Sequence, residues 1–204
     1  MAPANLTLEA PRKLMTVDEF WDFMHRSDNA DRSFELRRGE VIELSRPTRR
    51  HGAVVHNIDR ILGNFVFDLG RGFVVAGDAG VILDEDPAIV VGPDVAYFTG
   101  VHQQVDEVDA KWGGDLPAIA IEVLSPNDKT SDVNEKVEDY LSNGVKVVWL
   151  VDYEQKKLTV YRPEHSHKVL RAEDELVGEP ELPGFHCRVE DFFRLPGDKP
   201  AAAT

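Results

Sequence analysis

Cysteine is nearly absent from this sequence. Cys187 stands alone, which excludes an internal disulfide and a thiolate zinc site. No apolar run approaches the length a bilayer-spanning helix needs. The first residues, MAPANLTLEAPRKL, lack the apolar core of a secretory signal. These three absences point to a cytoplasmic protein away from membranes. Positive charge is scarce too, with 23 Lys and Arg against 37 Asp and Glu and a net charge of −14. That counts against a general nucleic-acid binder, because phosphate contacts need clustered Lys and Arg. A local basic face stays open. Arg37, Arg38, Arg46, Arg49, Arg50 and His51 fall close together, either as such a face or as a solvated surface. Neither an internal repeat nor a low-complexity linker divides the chain.

What is present suits one soluble domain. The 204 residues are 42% hydrophobic and 29% charged, enough to bury a full core. Residues 16–195 read as a single domain, 1–15 as a loose lead and 196–204 as a flexible tail. Thr16-Val17-Asp18-Glu19 has the form of a capping box and opens a short helix from Val17 to Arg26. "FELRRGEVIEL" reads as a hairpin over Phe34–Leu44, turning at Arg38-Gly39. From His51 the apolar period becomes helical and runs to Leu69, where Gly70 stops it. "FVVAG", "AGVILD" and "DVAYFT" read as short strands. The charged, Gly-containing stretch 100–115 reads as a loop. "AIAIEVL", Ala118–Leu124, is a buried strand followed by a helix from Asp132 to Asn143. "VKVVWLVD" and "KLTVYRP" are then two strands, placed towards a sheet edge, and "VEDFF" a last helical turn. The sum is an α/β or α+β chain with a mixed sheet and two main helices.

The strand at Ala118–Leu124 carries the puzzle. Glu122 sits in its middle, and an isolated carboxylate in an apolar interior is normally neutralised, paired or bound to metal. Alternation puts Ala120, Glu122 and Leu124 on one face. Small Ala120 leaves room there, near the strand end where α/β sheets open into sites. Asp94, at the start of another apolar strand, is the first candidate partner. Two carboxylates brought together repel, and a hard divalent ion such as Mg²⁺ relieves the repulsion. Asp94 bonding local backbone is the other reading. Lys136 lies on the following helix, sharing a face with Asp132 and Tyr140. It either reaches over the Glu122 strand or pairs with Asp132 on the surface.

Taken together, "FELRRGEVIEL", "PTRRHGAVV", "GPDVAY", "LPAIAIEVLSPND", "GVKVVWLVD" and "LPGF" occur in the order found in the Uma-two family, within the PD-(D/E)XK nuclease superfamily. The resemblance spans roughly 16–193. It implies a restriction-endonuclease-like core with a central mixed sheet flanked by helices, and metal-dependent hydrolysis of DNA phosphodiesters. Asp94 resembles the motif's Asp and Glu122 its second acid, with the Val123 carbonyl as a further ligand for Mg²⁺ or Mn²⁺. The superfamily's lysine position is occupied by Leu124, and Lys136 is the natural substitute. Glu35, in the hairpin, is implied as a further ligand or base partner, unless it only pairs with Arg37 or a neighbour. His51, Arg49 and Arg50 are implied phosphate contacts, with a local hydrogen bond as the other role for His51. Asp132 and Tyr140 support the helix face. A homodimer is expected from the two β-prone segments and from the needs of double-strand cutting. The rival reading is a catalytically silent or partner-dependent nuclease-fold module for binding or assembly.

Overall fold

The computed structural model describes residues 14–100, 108, 111–126, 128–164 and 166–198. All but the last two residues of the expected lead, much of the expected loop at 100–115 and the tail beyond residue 198 lie outside these residues. Among the described residues no helix is long and apolar enough to cross a membrane.

The first elements follow their local chemistry. Helix α1, Val17–Met24, opens on a reciprocal capping box in which Thr16 and Glu19 satisfy each other's backbone N–H groups. It stops two residues short of the periodicity. Strands β1, Ser33–Arg37, and β2, Glu40–Leu44, form the expected hairpin. Arg38 and Gly39 both take positive φ, 50° and 79°, the conformation of a tight turn whose twist matches the strands it joins. Helix α2, Arg49–Leu69, begins two residues before His51 because the Thr48 hydroxyl caps it by accepting from His51 N–H. Gly70, left-handed, ends it.

Next come β3, Phe73–Ala76; β4, Val81–Glu85; β5, Ala88–Val91; and β6, Val95–Phe98. Strand β5 gives no sign of itself in the sequence. Its four residues are all buried and show no alternation, so period gives no signal there. Then follow β7, Ile119–Val123; α3, Thr130–Ser142; β8, Val147–Asp152; and β9, Lys157–Tyr161. The chain continues through β10, His167–Arg171; β11, Glu175–Val177; β12, His186–Arg188; and a 3-10 turn at Val189–Phe192, where the last helical turn was expected.

The main sheet has six strands in the order β10-β9-β8-β7-β6-β3. It is mixed. Strands β7 and β8 run parallel, joined by α3, and the other neighbours are antiparallel. This corrects one expectation: β8 and β9 are interior strands, not edges, because β10 pairs along the whole of β9. The edge argument for a homodimer therefore falls away. A second sheet, β2-β1-β5-β4, stands apart from the first.

The two faces of β7 separate two parts of the core. Ile119, Ile121 and Val123 pack into a cluster with Val54, Ile58, Leu62 and Val66 of α2. Ala120 packs on the other side with Val137 and Tyr140 of α3 and with Val81, Leu83, Ile89 and Val91 of the second sheet. Glu122 shares Ala120's face. It therefore points into the space between the main sheet, α3 and the second sheet.

Candidate active site

Strand register brings the first two acids together. In the antiparallel pair β6 and β7, Val95 lies opposite Ile121 and Ala96 opposite Ala120. One step further along the same register sets Asp94 opposite Glu122, and residues opposed in this way share a face. Asp94 is held there by a backbone bond: Val123 N–H donates to its Oδ2 at 2.7 Å. The bond crosses to the neighbouring strand, so Asp94 is not capping local backbone.

Lys136 enters from α3. Its Nζ lies 2.8 Å from Glu122 Oε1 and 2.7 Å from Glu35 Oε1, so it does not form the surface pair with Asp132. Tyr140, one turn further along α3, donates its hydroxyl to Glu122 Oε1 at 2.6 Å. Glu35 is 1% exposed and is held from three directions. Arg37 donates to Oε2 from Nε and Nη2 at 3.2 and 2.9 Å, Gly92 N–H donates to Oε1 at 3.3 Å, and Lys136 completes the set. Gly92 also lets the backbone of Asp78 pack close: a Cβ at 92 would meet the Asp78 carbonyl oxygen at 2.7 Å. Arg37 Nη1 also reaches the Asp132 carbonyl at 3.4 Å, tying β1 to the start of α3.

Electrostatics divide the carboxylates. For Glu35, burial alone would raise the pKa, but Lys136 and Arg37 outweigh it and hold the group below its ordinary value. For Glu122, burial is the main cause and Lys136 pulls the other way. The charges of Asp94 and Glu35 add to the rise, and the group is pushed up to about 7. Lys136 is held above its usual range: burial opposes its charge, and Glu122 and Glu35 together overcome that cost. Tyr140 is pushed up by burial and by Glu122, which keeps its hydroxyl a donor.

His51 is buried in the first turn of α2. Its Nε2 lies 2.9 Å from the Val123 carbonyl and 3.4 Å from Asp94 Oδ2. Burial favours the neutral ring, but Asp94 and the Val123 carbonyl outweigh burial and raise its pKa. His51 thus braces the strand end that carries both acids. Asp78, at φ 58°, faces the same space. Burial and the charge of Asp94 raise its pKa.

These groups line one cleft of about 370 Å³, bounded by β1 and β2 on one side and α3 on the other. Glu35, His51, Asp94, Glu122, Val123, Asp132 and Lys136 all line it. Tyr140 reaches it through Glu122. Arg49 and Arg50 are exposed and are not among the lining residues. Arg50 instead pairs with Glu154 at 2.8 Å and lies over the Tyr153 ring at 4.9 Å. Arg37 is the arginine that lines the cleft, and there it pairs with Glu35. Period-two alternation, which puts residues 35 and 37 on one strand face, was the signal for it. Arg38 pairs with Glu135 and, at 2.6 Å, with the buried Asp139, so the hairpin turn is tied to α3.

Among the described residues, no group of three or more His, Cys, Asp or Glu stands in a metal-ligating arrangement. Mg²⁺ asks for less, taking one or two carboxylates and keeping several waters. Asp94 and Glu122 supply two carboxylates on neighbouring strands. Asp94 Oδ1 and Glu122 Oε2 accept no hydrogen bond from the described residues. A cation would lower the proton affinity of Glu122, which burial and the charges of Asp94 and Glu35 raise. This donor set fits a hard divalent ion that keeps most of its water.

No curated protein matches the chain. The fold is similar to that of a solved structure described as "a putative nuclease belonging to DUF820 from Anabaena variabilis ATCC 29413". The TM-score is 0.74 at 19% sequence identity, covering 88% of this chain and 97% of that one. A family model described as "Uma2: Putative restriction endonuclease" matches residues 18–190. The chain belongs to the Uma2 family.

Proposed function

We propose that this protein is a metal-dependent nuclease that hydrolyses phosphodiester bonds of DNA. The observation that carries the proposal is the bridge of Lys136 between Glu35 and Glu122, at 2.7 and 2.8 Å, at the face where Leu124 supplies no cation. Asp94 and Glu122, with the Val123 carbonyl, would hold Mg²⁺ or Mn²⁺. Such an ion lowers the pKa of bound water and offsets phosphate charge.

The chain's own groups have distinct tasks in this reading. Lys136 orients the attacking water and stabilises the charge that builds on the phosphate oxygens. Glu35, ionised between Lys136 and Arg37, fixes the ammonium in place and keeps it protonated. Tyr140 fixes one oxygen of Glu122, and the other accepts no hydrogen bond from the described residues. The Val123 N–H fixes Asp94 in the same way. His51 holds the Val123 carbonyl at the lip of the sheet.

The test has two arms. Wild type and Asp94→Asn are compared for cleavage of plasmid and single-stranded DNA in Mg²⁺ and Mn²⁺, and for Mn²⁺ binding by electron paramagnetic resonance. Cleavage and Mn²⁺ binding that both fall in Asp94→Asn support the nuclease. Mn²⁺ binding without cleavage across metals and salt favours the silent or partner-dependent module. Unchanged Mn²⁺ binding in the variant removes Asp94 from the ligand set.

A further inference from the structure

Resting on that reading, we infer that the substrate strand enters this cleft unpaired, as single-stranded nucleic acid, with a base or sugar against an aliphatic ledge. The first ground is charge. Among the described residues, seven carboxylates line the cleft against three full cations, Arg37, Lys129 and Lys136. Two of those cations are already committed to Glu35 and Glu122. Duplex DNA carries one negative charge per roughly 1.7 Å of axis, about twice the density of one strand, and its binding relies on several free Lys and Arg contacts. A cleft with this balance repels a dense row of phosphates. It tolerates one or two phosphates at the acid end, where a divalent ion would sit.

The second ground is the apolar surface beside the acids. In the β1–β2 hairpin Ile42 lies opposite Glu35 and Leu44 opposite Ser33. Opposed residues share a face, so both side chains stand on the side that carries Glu35. Ile42 is 38% exposed although it is large and aliphatic. Pro47, Leu124 and Val133 line the same cleft from three other segments. A paired duplex hides its base faces in the stack and presents sugars and phosphates, so it cannot use this ledge. An unpaired nucleotide can bury a base or sugar there while its phosphate meets Lys136. The volume of about 370 Å³ falls at the small end of ordinary ligand pockets. Leu124 gains a role here: it replaces a cation with apolar surface on Glu122's own face.

Binding and hydrolysis are measured separately. A fluorescein-labelled eight-nucleotide single strand and a hairpin duplex containing the same sequence are titrated with wild type, Ile42→Asn and Ile42→Leu. Anisotropy is read in Ca²⁺ and hydrolysis in Mn²⁺, with melting curves to establish folding. The expected result is single-strand binding at least about tenfold tighter than duplex binding. Ile42→Asn should lose most of that preference at an unchanged melting temperature, and Ile42→Leu should keep it. Equal or tighter duplex binding, no single-strand binding, or an indifferent Ile42→Asn would overturn the inference. If Ile42→Asn does not fold, an abasic site at each position of the strand replaces it. An abasic strand that binds as well as the intact one at every position overturns the inference equally. A strand that is bound with the predicted preference and never cut contradicts the nuclease reading alone. Preferential cutting of duplex contradicts this inference alone.

Discussion

The ammonium of Lys136 sits 2.7 Å from Glu35 Oε1, so a cation of α3 is held by a carboxylate of β1. The contact joins the hairpin, which belongs to the second sheet, to the helix that crosses over the main sheet. Both partners are shielded, with side chains 14% and 1% exposed. A buried pair of this kind is costly to break from one side, because the remaining charge is left without compensation.

Glu35→Gln should therefore destabilise the protein by about 3–5 kcal/mol. Arg37 and Lys136 would lose their shared anion, and Lys136 would keep only Glu122. Urea denaturation at pH 7 measures the loss. The exposed Arg32–Glu43 pair provides the control, and Glu43→Gln should not change stability resolvably. Equal behaviour of the two variants would show that the Glu35 cluster contributes nothing beyond a surface pair.

Glu122 should show the opposite sign, in a defined pH window. Its ordinary value is 4.5 and in the fold it is pushed up to about 7. Between those values the folded protein holds the proton while the unfolded chain has released it. Stability therefore falls as pH rises through the window and levels off above it. Glu122→Gln removes that slope. In EDTA, the variant should gain on wild type by up to about 3 kcal/mol on going from pH 5 to pH 8. Melting temperatures at the two pH values test this, and a constant difference between the proteins would contradict it.

Arg38 gives a prediction about the cleft wall. Its guanidinium meets Asp139 at 2.6 Å, and Asp139 is 2% exposed with Oδ2 lacking a partner among the described residues. Burial raises the Asp139 pKa and Arg38 opposes that rise. Arg38→Ala should cost about 1–3 kcal/mol through the unpaired acid, and Asp139→Asn in the same background should recover part of it. Hydrogen exchange should quicken in the β1–β2 hairpin and in α3, while β8 stays protected. Unchanged exchange in the hairpin would mean that the Arg38 contact does not hold the wall.

Much of the fold was legible because the elements announce themselves locally. The Thr16–Glu19 box, the Arg38–Gly39 turn, the Gly70 stop and the helical period after His51 all appear in the structure within two residues of where the sequence put them. Strand β5 was not legible, since four buried residues without alternation carry no period. The interior position of β8 and β9 was hidden for a different reason. Edge or centre depends on which later segment pairs outside, and β10 carries a burial pattern that is almost wholly exposed.

The site divides along the same line. Glu122 drew attention because one carboxylate interrupts an apolar strand, and Lys136 because α3 follows directly. Spacing left two partners open for Lys136, Glu122 and Asp132, because the choice depends on the crossover placing one helix face over Ala120; the structure gives Glu122. The role of Arg37 in holding Glu35 needed the strand face, which alternation gives. The commitment of Arg50 to Glu154 and Tyr153 needed the β8–β9 turn to lie beside the start of α2, which no local pattern reveals.

Lys136 carries the proposed hydrolysis, and single-turnover cleavage by Lys136→Gln tests that role most directly. A labelled single strand is mixed with excess protein at saturating Mn²⁺, and Mn²⁺ affinity and melting temperature are measured on the same samples. The folded variant should bind Mn²⁺ within a few-fold of wild type and cleave at least about a hundredfold more slowly, the loss expected when a group stabilising transition-state charge is removed. A Lys136→Gln protein that cleaves at the wild-type rate would contradict that role.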